Sequence, residues 1–248
     1  MRLVLEAVQC AYDGAPALRG VSLTLAAGEI LCLLGRNGAG KTTTLKAITG
    51  LLRPVAGSIR LDGEDLTALP PDTIARRGIG YVPQGRRLFP HLTVAENLTM
   101  GLLAACPGRT RRTTPGAAGA RGTDALEWSL ELFPTLKQRL RQRAGTLSGG
   151  EQQMAATARA LCMSPRVLLM DEPTEGLMPA VVRQLLEITR QLKSRQVSVL
   201  LVEQKLEAAL AVADRVAFME DGTIVHEGTP DALVATPEVF ERYLGARS

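Results

Sequence analysis

Gly35–Thr42 reads GRNGAGKT, which fits the phosphate-binding pattern G-x-x-x-x-G-K-[ST] without a mismatch. Gly35, Gly38 and Gly40 let backbone N–H groups curl around phosphates, and the helix that follows adds its positive dipole end. Lys41 is spaced to reach the β- and γ-phosphates of a nucleotide, and Thr42 to place its hydroxyl on Mg²⁺. Asn37, Ala39 and Thr43 are expected at the nucleotide as parts of the same loop. No separate chemistry is assigned to Arg36 or Asn37.

A second segment, VLLMDE (Val167–Glu172), is an apolar run ending in two acids. Such a strand would deliver Asp171 beside the loop to hold Mg²⁺, directly or through water. Glu172 would then be placed to orient or deprotonate an attacking water. A strand ending in Asp-Glu is weak evidence alone and gains its meaning from the phosphate loop upstream. The third segment is LSGGEQ (Leu147–Gln152). Ser148, Gly149 and Gly150 at the start of a helix make a second anion-binding helix end. One nucleotide already has its phosphate loop, so a second such end needs a reason.

The elements that must position these residues follow from hydrophobic periodicity. Residues 2–8 and 20–26 alternate apolar and polar, as half-buried antiparallel strands do. Glu29–Leu34, Arg166–Asp171 and Val197–Glu203 are short continuous apolar runs, the pattern of buried parallel strands. A helix is expected from Thr42 to about Leu51, and an amphipathic one over Met178–Leu192. Strand, helix and strand in that order indicate βαβ units. Residues 86–160 read as helices interrupted by Cys106–Thr123, rich in Gly, Pro and Arg, which reads as a flexible solvated loop.

Composition narrows the classes. With 248 residues, 46% hydrophobic and 22% charged, the chain can bury one large α/β core. Aromatics at 3% leave little material for stacking on nucleic-acid bases, so no nucleic-acid partner is expected. The net charge of +4 comes from residues spread along the chain, as on a solvated surface. Cys10, Cys32, Cys106 and Cys162 lack metal-ligand spacing and read as reduced, mostly buried thiols. No stretch reaches the about 18 apolar residues of a membrane span, so any membrane role would be peripheral.

Taken in order, GRNGAGKT, LSGGE and VLLMDE resemble the motifs of the ABC ATPases across nearly the whole chain. The resemblance implies an α/β fold: a P-loop NTPase core with a mainly parallel sheet, an antiparallel β layer and a helical subdomain. As a single domain over 1–248, the core and β layer would take 1–85 and 161–248, and the helical subdomain 86–160. In this family LSGGE caps the γ-phosphate bound by the opposite subunit, which would give the second anion site its purpose. Tyr12 in AYDG matches the aromatic that stacks on adenine. Gln84 in YVPQ matches a glutamine that reaches Mg²⁺ and the attacking water.

Two positions depart from the family pattern. Gln204 stands where most relatives have a His that contacts the γ-phosphate; it can donate a hydrogen bond but cannot become an imidazolium. Met178 stands where an Asp is usual after the EPT turn. His91 and His226 lie in other segments and read as surface residues. YVPQGRRLFPHLTVAENL, GTLSGGEQQM, DEPTEGLMP and LLVEQ resemble the ATPases of branched-chain amino acid importers, and VPQGR and EPTEG are similar in urea and short-chain amide importers. The implied cofactors are ATP and Mg²⁺. The implied partners are two transmembrane permease subunits, a second ATPase subunit (identical or paralogous) and, indirectly, a substrate-binding protein, at the cytoplasmic membrane face. A soluble ABC ATPase acting on nucleic acid or protein assemblies is the alternative from another class.

Overall fold

The computed structural model describes residues 2–105 and 118–235. The chain opens with β1 (Arg2–Tyr12), β2 (Ala15–Ala26) and β3 (Ile30–Leu34), then α1 (Lys41–Ile48), β4 (Ala56–Leu61) and β5 (Glu64–Asp65). It continues with α2 (Pro71–Arg76), β6 (Ile79–Val82), α3 (Val94–Ala105), α4 (Ala118–Leu132), α5 (Pro134–Lys137) and α6 (Gly149–Leu161). The last part runs β7 (Val167–Asp171), α7 (Pro179–Gln191), β8 (Ser198–Glu203), α8 (Leu206–Val212), β9 (Arg215–Glu220), β10 (Thr223–Gly228) and α9 (Pro230–Val234).

Two sheets form. The first is antiparallel, in the order β2-β1-β4-β5. The second runs β10-β9-β3-β8-β7-β6, parallel throughout except for the antiparallel β10–β9 edge. In β3, β7 and β8 every residue is buried, as continuous apolar runs require of strands covered on both faces. Alternation then sorts their side chains into two cores. Ile30, Cys32, Leu34, Leu168, Met170, Val199 and Leu201 pack with α6, α7 and α8. Leu31, Leu33, Val167, Leu169, Leu200 and Val202 meet α1 and the antiparallel layer on the other side.

The antiparallel layer is longer than the alternation alone indicates. Leu3 and Leu5 are buried, then Val8 and Cys10, so the parity of buried positions changes between Leu5 and Val8. A bulge there, with Ala7 at φ 47°, absorbs the extra residue and lets β1 continue to Tyr12. Asp13 (φ 48°) and Gly14 (φ 83°) then make the two-residue turn into β2.

Two boundaries differ from expectation. The first helix ends at Ile48 rather than Leu51, because Gly50 takes a left-handed conformation (φ 72°) just past its C-terminus. The irregular stretch was expected to reach Thr123, yet the backbone is helical from Ala118. Ala and Arg there are strong helix formers, so two glycines at about 1 kcal/mol each do not stop a helix already anchored downstream by buried Ala125 and Ser129. The rest of that loop expectation, 106–117, lies outside the described residues. Cys10, Cys32 and Cys162 are free and buried; Cys106 is outside the described residues. His91 is exposed, whereas His226 is half-buried, its ring centroid 6.1 Å from that of Phe218.

Candidate active site

Four of the parallel strands end side by side. Leu34 of β3 pairs with Glu203 of β8, Val202 of β8 with Asp171 of β7, and Met170 of β7 with Val82 of β6. The phosphate loop follows β3, Gln84 follows β6, Glu172 follows β7 and Gln204 follows β8. All the segments singled out for nucleotide chemistry, except LSGGE and Tyr12, therefore converge at the carboxyl edge of one sheet, where open α/β folds bind ligands. A cavity of about 370 Å³ opens there, lined by Asn37, Gly38, Gly40, Lys41, Thr42 and Thr43 on one side and Gln84, Glu172, Glu175 and Gln204 on the other.

The loop itself is held by close backbone packing. A Cβ on Gly35 would come within 2.3 Å of the Met219 carbonyl oxygen. Gly40 has φ 109°, and a Cβ there would meet Met219 Cε at 2.8 Å and Leu18 Cδ2 at 3.0 Å. Ala39, buried, ties the loop to β9 and β10 through its carbonyl, which accepts from Gly222 N–H at 2.9 Å. Lys41 is buried and donates to the carbonyls of Gly35 (2.8 Å) and Arg36 (3.0 Å), with Glu172 Oε1 3.8 Å away. Burial lowers its pKa, opposed by the nearby charges of Glu172, Asp171 and Glu203. An anion entering the loop would meet an ammonium now bonded only to weak neutral acceptors and one carboxylate.

Asp171 is buried and accepts from the Thr42 hydroxyl at 3.0 Å and from the Tyr81 hydroxyl at 3.2 Å. Burial raises its pKa despite these two donors. Glu172 has φ 48°, a left-handed conformation costly for a residue with a side chain, and its N–H donates to Val202 O at 3.0 Å. The Glu172 carboxylate is gripped by two amides: Gln204 Nε2 donates to Oε2 at 2.6 Å and Gln84 Nε2 at 3.3 Å. Glu203 is buried and accepts from the backbone of Thr174 (3.2 Å) and Gln204 (3.3 Å), pinning the turn after Glu172 to the end of β8. Its pKa is raised by burial.

The donor chemistry of these residues fits Mg²⁺ and ATP. The Thr42 hydroxyl, the Asp171 carboxylate and the Gln84 carbonyl supply only oxygens, the donors a small hard dication takes. The glycine loop, Lys41 and the start of α1 supply N–H groups and one cation, the set a triphosphate takes. Tyr12, at the end of β1, is 42% exposed, with Lys46 Nζ of α1 lying 5.7 Å from its ring centroid. Its ring is thus open to a flat partner and adjoins the helix that starts at Lys41.

Ser148, Gly149 and Gly150 do not line this cavity. Ser148 caps α6: its hydroxyl accepts from Glu151 N–H at 3.3 Å, while Glu151 Oε2 accepts from Ser148 N–H at 2.9 Å. The helix end is fitted closely to two other segments. Arg86 donates to Gln152 Oε1 at 3.2 Å, and a Cβ on Gly149 would lie 3.0 Å from its guanidinium. A Cβ on Gly150 would lie 3.0 Å from both methyls of Val181 on α7. Tyr81, Glu175 and Glu203 escaped the sequence reading. Tyr81 and Glu203 sit inside motif strings already quoted, but nothing in the residue types says that one would bond Asp171 and the other would be buried.

The ABC transporter family profile matches residues 18–175. The chain is 44% identical to the high-affinity branched-chain amino acid transport ATP-binding protein BraG of Pseudomonas aeruginosa, over 98% of this chain and 99% of that one. The ADP conformation of MJ1267, an ATP-binding cassette of an ABC transporter, superposes with a TM-score of 0.83 at 28% identity, covering 99% and 100% of the two chains. The dimeric structure of MJ0796, a bacterial ABC transporter cassette, gives 0.77 at 26% identity, covering 92% and 98%.

Proposed function

This chain belongs to the ABC transporter family as an ATP-hydrolysing ATP-binding subunit, and from that premise we propose that it powers an importer of branched-chain amino acids. The near full-length similarity to BraG carries the substrate assignment. The motifs around Gln84 and Glu175 agree with it and are shared with urea and short-chain amide importers.

In the proposed mechanism the loop Gly35–Thr43 wraps the triphosphate and Lys41 exchanges its loop carbonyls for β- and γ-phosphate oxygens. Tyr12 stacks on adenine. Thr42, Asp171 and the Gln84 carbonyl would hold Mg²⁺, which would supply charge neutralisation at the phosphates. Glu172 accepts a proton from the attacking water, and Gln204, 2.6 Å from its carboxylate, fixes that carboxylate's orientation. Ser148, Gly149 and Gly150 close over the γ-phosphate held by a second ATPase subunit, identical or paralogous. That assignment is supported by the exposure of Ser148 and by the absence of all three residues from the lining of the chain's own phosphate-loop cavity. Closure around two nucleotides biases an open/closed equilibrium that drives two membrane permease subunits. The docking place proposed for their cytoplasmic helices is the segment around Gln84 and Arg86–Pro90.

No helix among the described residues is long and apolar enough to cross a membrane, so attachment at the cytoplasmic face would come through those subunits. The test is affinity capture of tagged Glu172→Gln from solubilised native membranes with ATP and Mg²⁺, partners being identified by mass spectrometry. Two hydrophobic permease subunits, with or without a second ATPase, are expected. Recovery of soluble partners or nucleic acid alone would overturn the transport assignment.

A further inference from the structure

We propose that Glu175 is a positioning residue that sets which end of the Gln84 amide faces the bound cation. The inference rests on the reading of Gln84 as an oxygen ligand of nucleotide-bound Mg²⁺, and adds a residue that this reading does not contain.

Glu175 lies three residues beyond Glu172, and the two are tied by the backbone. The Glu175 N–H donates to the Glu172 carbonyl at 3.1 Å, closing a tight turn that begins at the left-handed Glu172 (φ 48°). The turn brings both carboxylates to one side of the Gln84 amide. Gln84 Nε2 donates to Glu175 Oε2 at 2.9 Å and to Glu172 Oε2 at 3.3 Å. An amide nitrogen has two hydrogens, and both are used here.

A carboxamide is chemically two-faced: its nitrogen only donates and its oxygen only accepts. Its orientation is decided by what surrounds it. Two carboxylates, which accept and cannot donate, force the nitrogen toward themselves. Oε1, the atom able to ligate a cation, is left on the opposite side of the amide. Glu172 alone fixes this poorly, because its contact is the longer one and the same Oε2 already receives Gln204 Nε2 at 2.6 Å. The shorter bond to Glu175 is the one that holds the amide. Glu175 itself is exposed at the rim of the cavity, so it has no packing role to explain its place.

Glu175→Gln removes this constraint while keeping size. The amide introduced at position 175 can donate to Gln84 Oε1 as readily as it can accept from Nε2. A population of Gln84 then turns its oxygen away from the cation, and metal affinity falls. Loss of a negative charge near a dication would also weaken binding, so the test must separate the two. A double-mutant cycle does so, because only the positioning route passes through Gln84.

Mn²⁺ substitutes for Mg²⁺ at oxygen sites and is read by electron paramagnetic resonance. The cycle compares the wild type, Glu175→Gln, Gln84→Ala and the double variant, each saturated with a non-hydrolysable ATP analogue. Analogue affinity in EDTA and thermal midpoints report folding and nucleotide binding independently of the metal. Glu175→Gln is expected to weaken Mn²⁺ binding about tenfold in the wild-type background and less than about twofold when Gln84 is already Ala. Equal loss in both backgrounds would mean that Glu175 acts by charge alone and would overturn the proposal, as would no loss in either. Should Gln84→Ala leave Mn²⁺ affinity unchanged, the assignment of Gln84 to the metal falls as well, whatever Glu175 does.

Discussion

Glu172 concentrates the site's chemistry in one strained residue: φ 48°, two amide donors on one carboxylate oxygen and Lys41 3.8 Å from the other. Gln204 holds it without being able to titrate. Turnover should therefore lack a pH limb from position 204, and Gln204→His should add one near pH 6.5, about the ordinary imidazole value, in a pH–rate profile. Asp171 makes a second prediction. Burial raises its pKa, so its protonated form is the better fitted to the fold. Stability from that source is full below the unfolded carboxylate pKa and is lost as pH rises through the raised folded value. Asp171→Asn should thus raise the thermal midpoint of the nucleotide-free protein at neutral pH, with the gain shrinking toward pH 4, while Mg²⁺-dependent nucleotide binding is lost. A midpoint that falls at neutral pH would show that the Thr42 and Tyr81 hydrogen bonds outweigh the burial. At this scale the sequence named Lys41 and Thr42 from motif spacing, and Asp171 and Glu172 from an apolar run ending in two acids downstream of that loop. It could not name Tyr81 or Glu203, because a tyrosine or glutamate inside a strand is defined by its neighbours across the sheet.

The elements are most legible where burial leaves one solution. β3, β7 and β8 are apolar on both faces, the pattern of central parallel strands, and they came out within one residue of expectation at each end. Strand order is different: β8 lies between β3 and β7, a fact of long-range pairing that local pattern does not carry. The β1 bulge was hidden for a similar reason, since a parity change in an alternating run looks like the end of a strand. Two substitutions test element-level claims. Met178, 71% exposed, is the N-cap of α7 and makes no side-chain capping bond. Met178→Asp should stabilise the fold by about 0.5–2 kcal/mol, each kcal/mol raising the midpoint about 2–4 °C in calorimetry. Gly35→Ala, by contrast, forces a methyl to 2.3 Å from the backbone oxygen of Met219, which no side-chain rotation relieves. It should cost at least about 1–3 kcal/mol even without nucleotide; an unchanged midpoint would mean that the loop is free to move off β9.

At the scale of the whole molecule, the chain is proposed to hold two anion sites, only one of which lies in the cavity at the strand ends. The loops after β3, β6, β7 and β8 build one, and the capped N-terminus of α6 is the other, outside that cavity. LSGGE was readable as a helix start from Ser148 and its two glycines. Its use between subunits came from resemblance, because no single-chain pattern records what lies opposite an exposed helix end. Ser148→Arg should leave ATP affinity within about twofold while turnover of the assembled ATPase falls, since a guanidinium replaces the small hydroxyl at the closing face. Binding and hydrolysis rest on different residues, and the most direct test measures ATP affinity and turnover of purified wild type, Lys41→Ala and Glu172→Gln side by side. Lys41→Ala is expected to lose affinity, whereas Glu172→Gln keeps it and loses turnover by about 10²–10⁴-fold. Wild-type turnover in Glu172→Gln, or unchanged affinity in Lys41→Ala, would contradict this assignment.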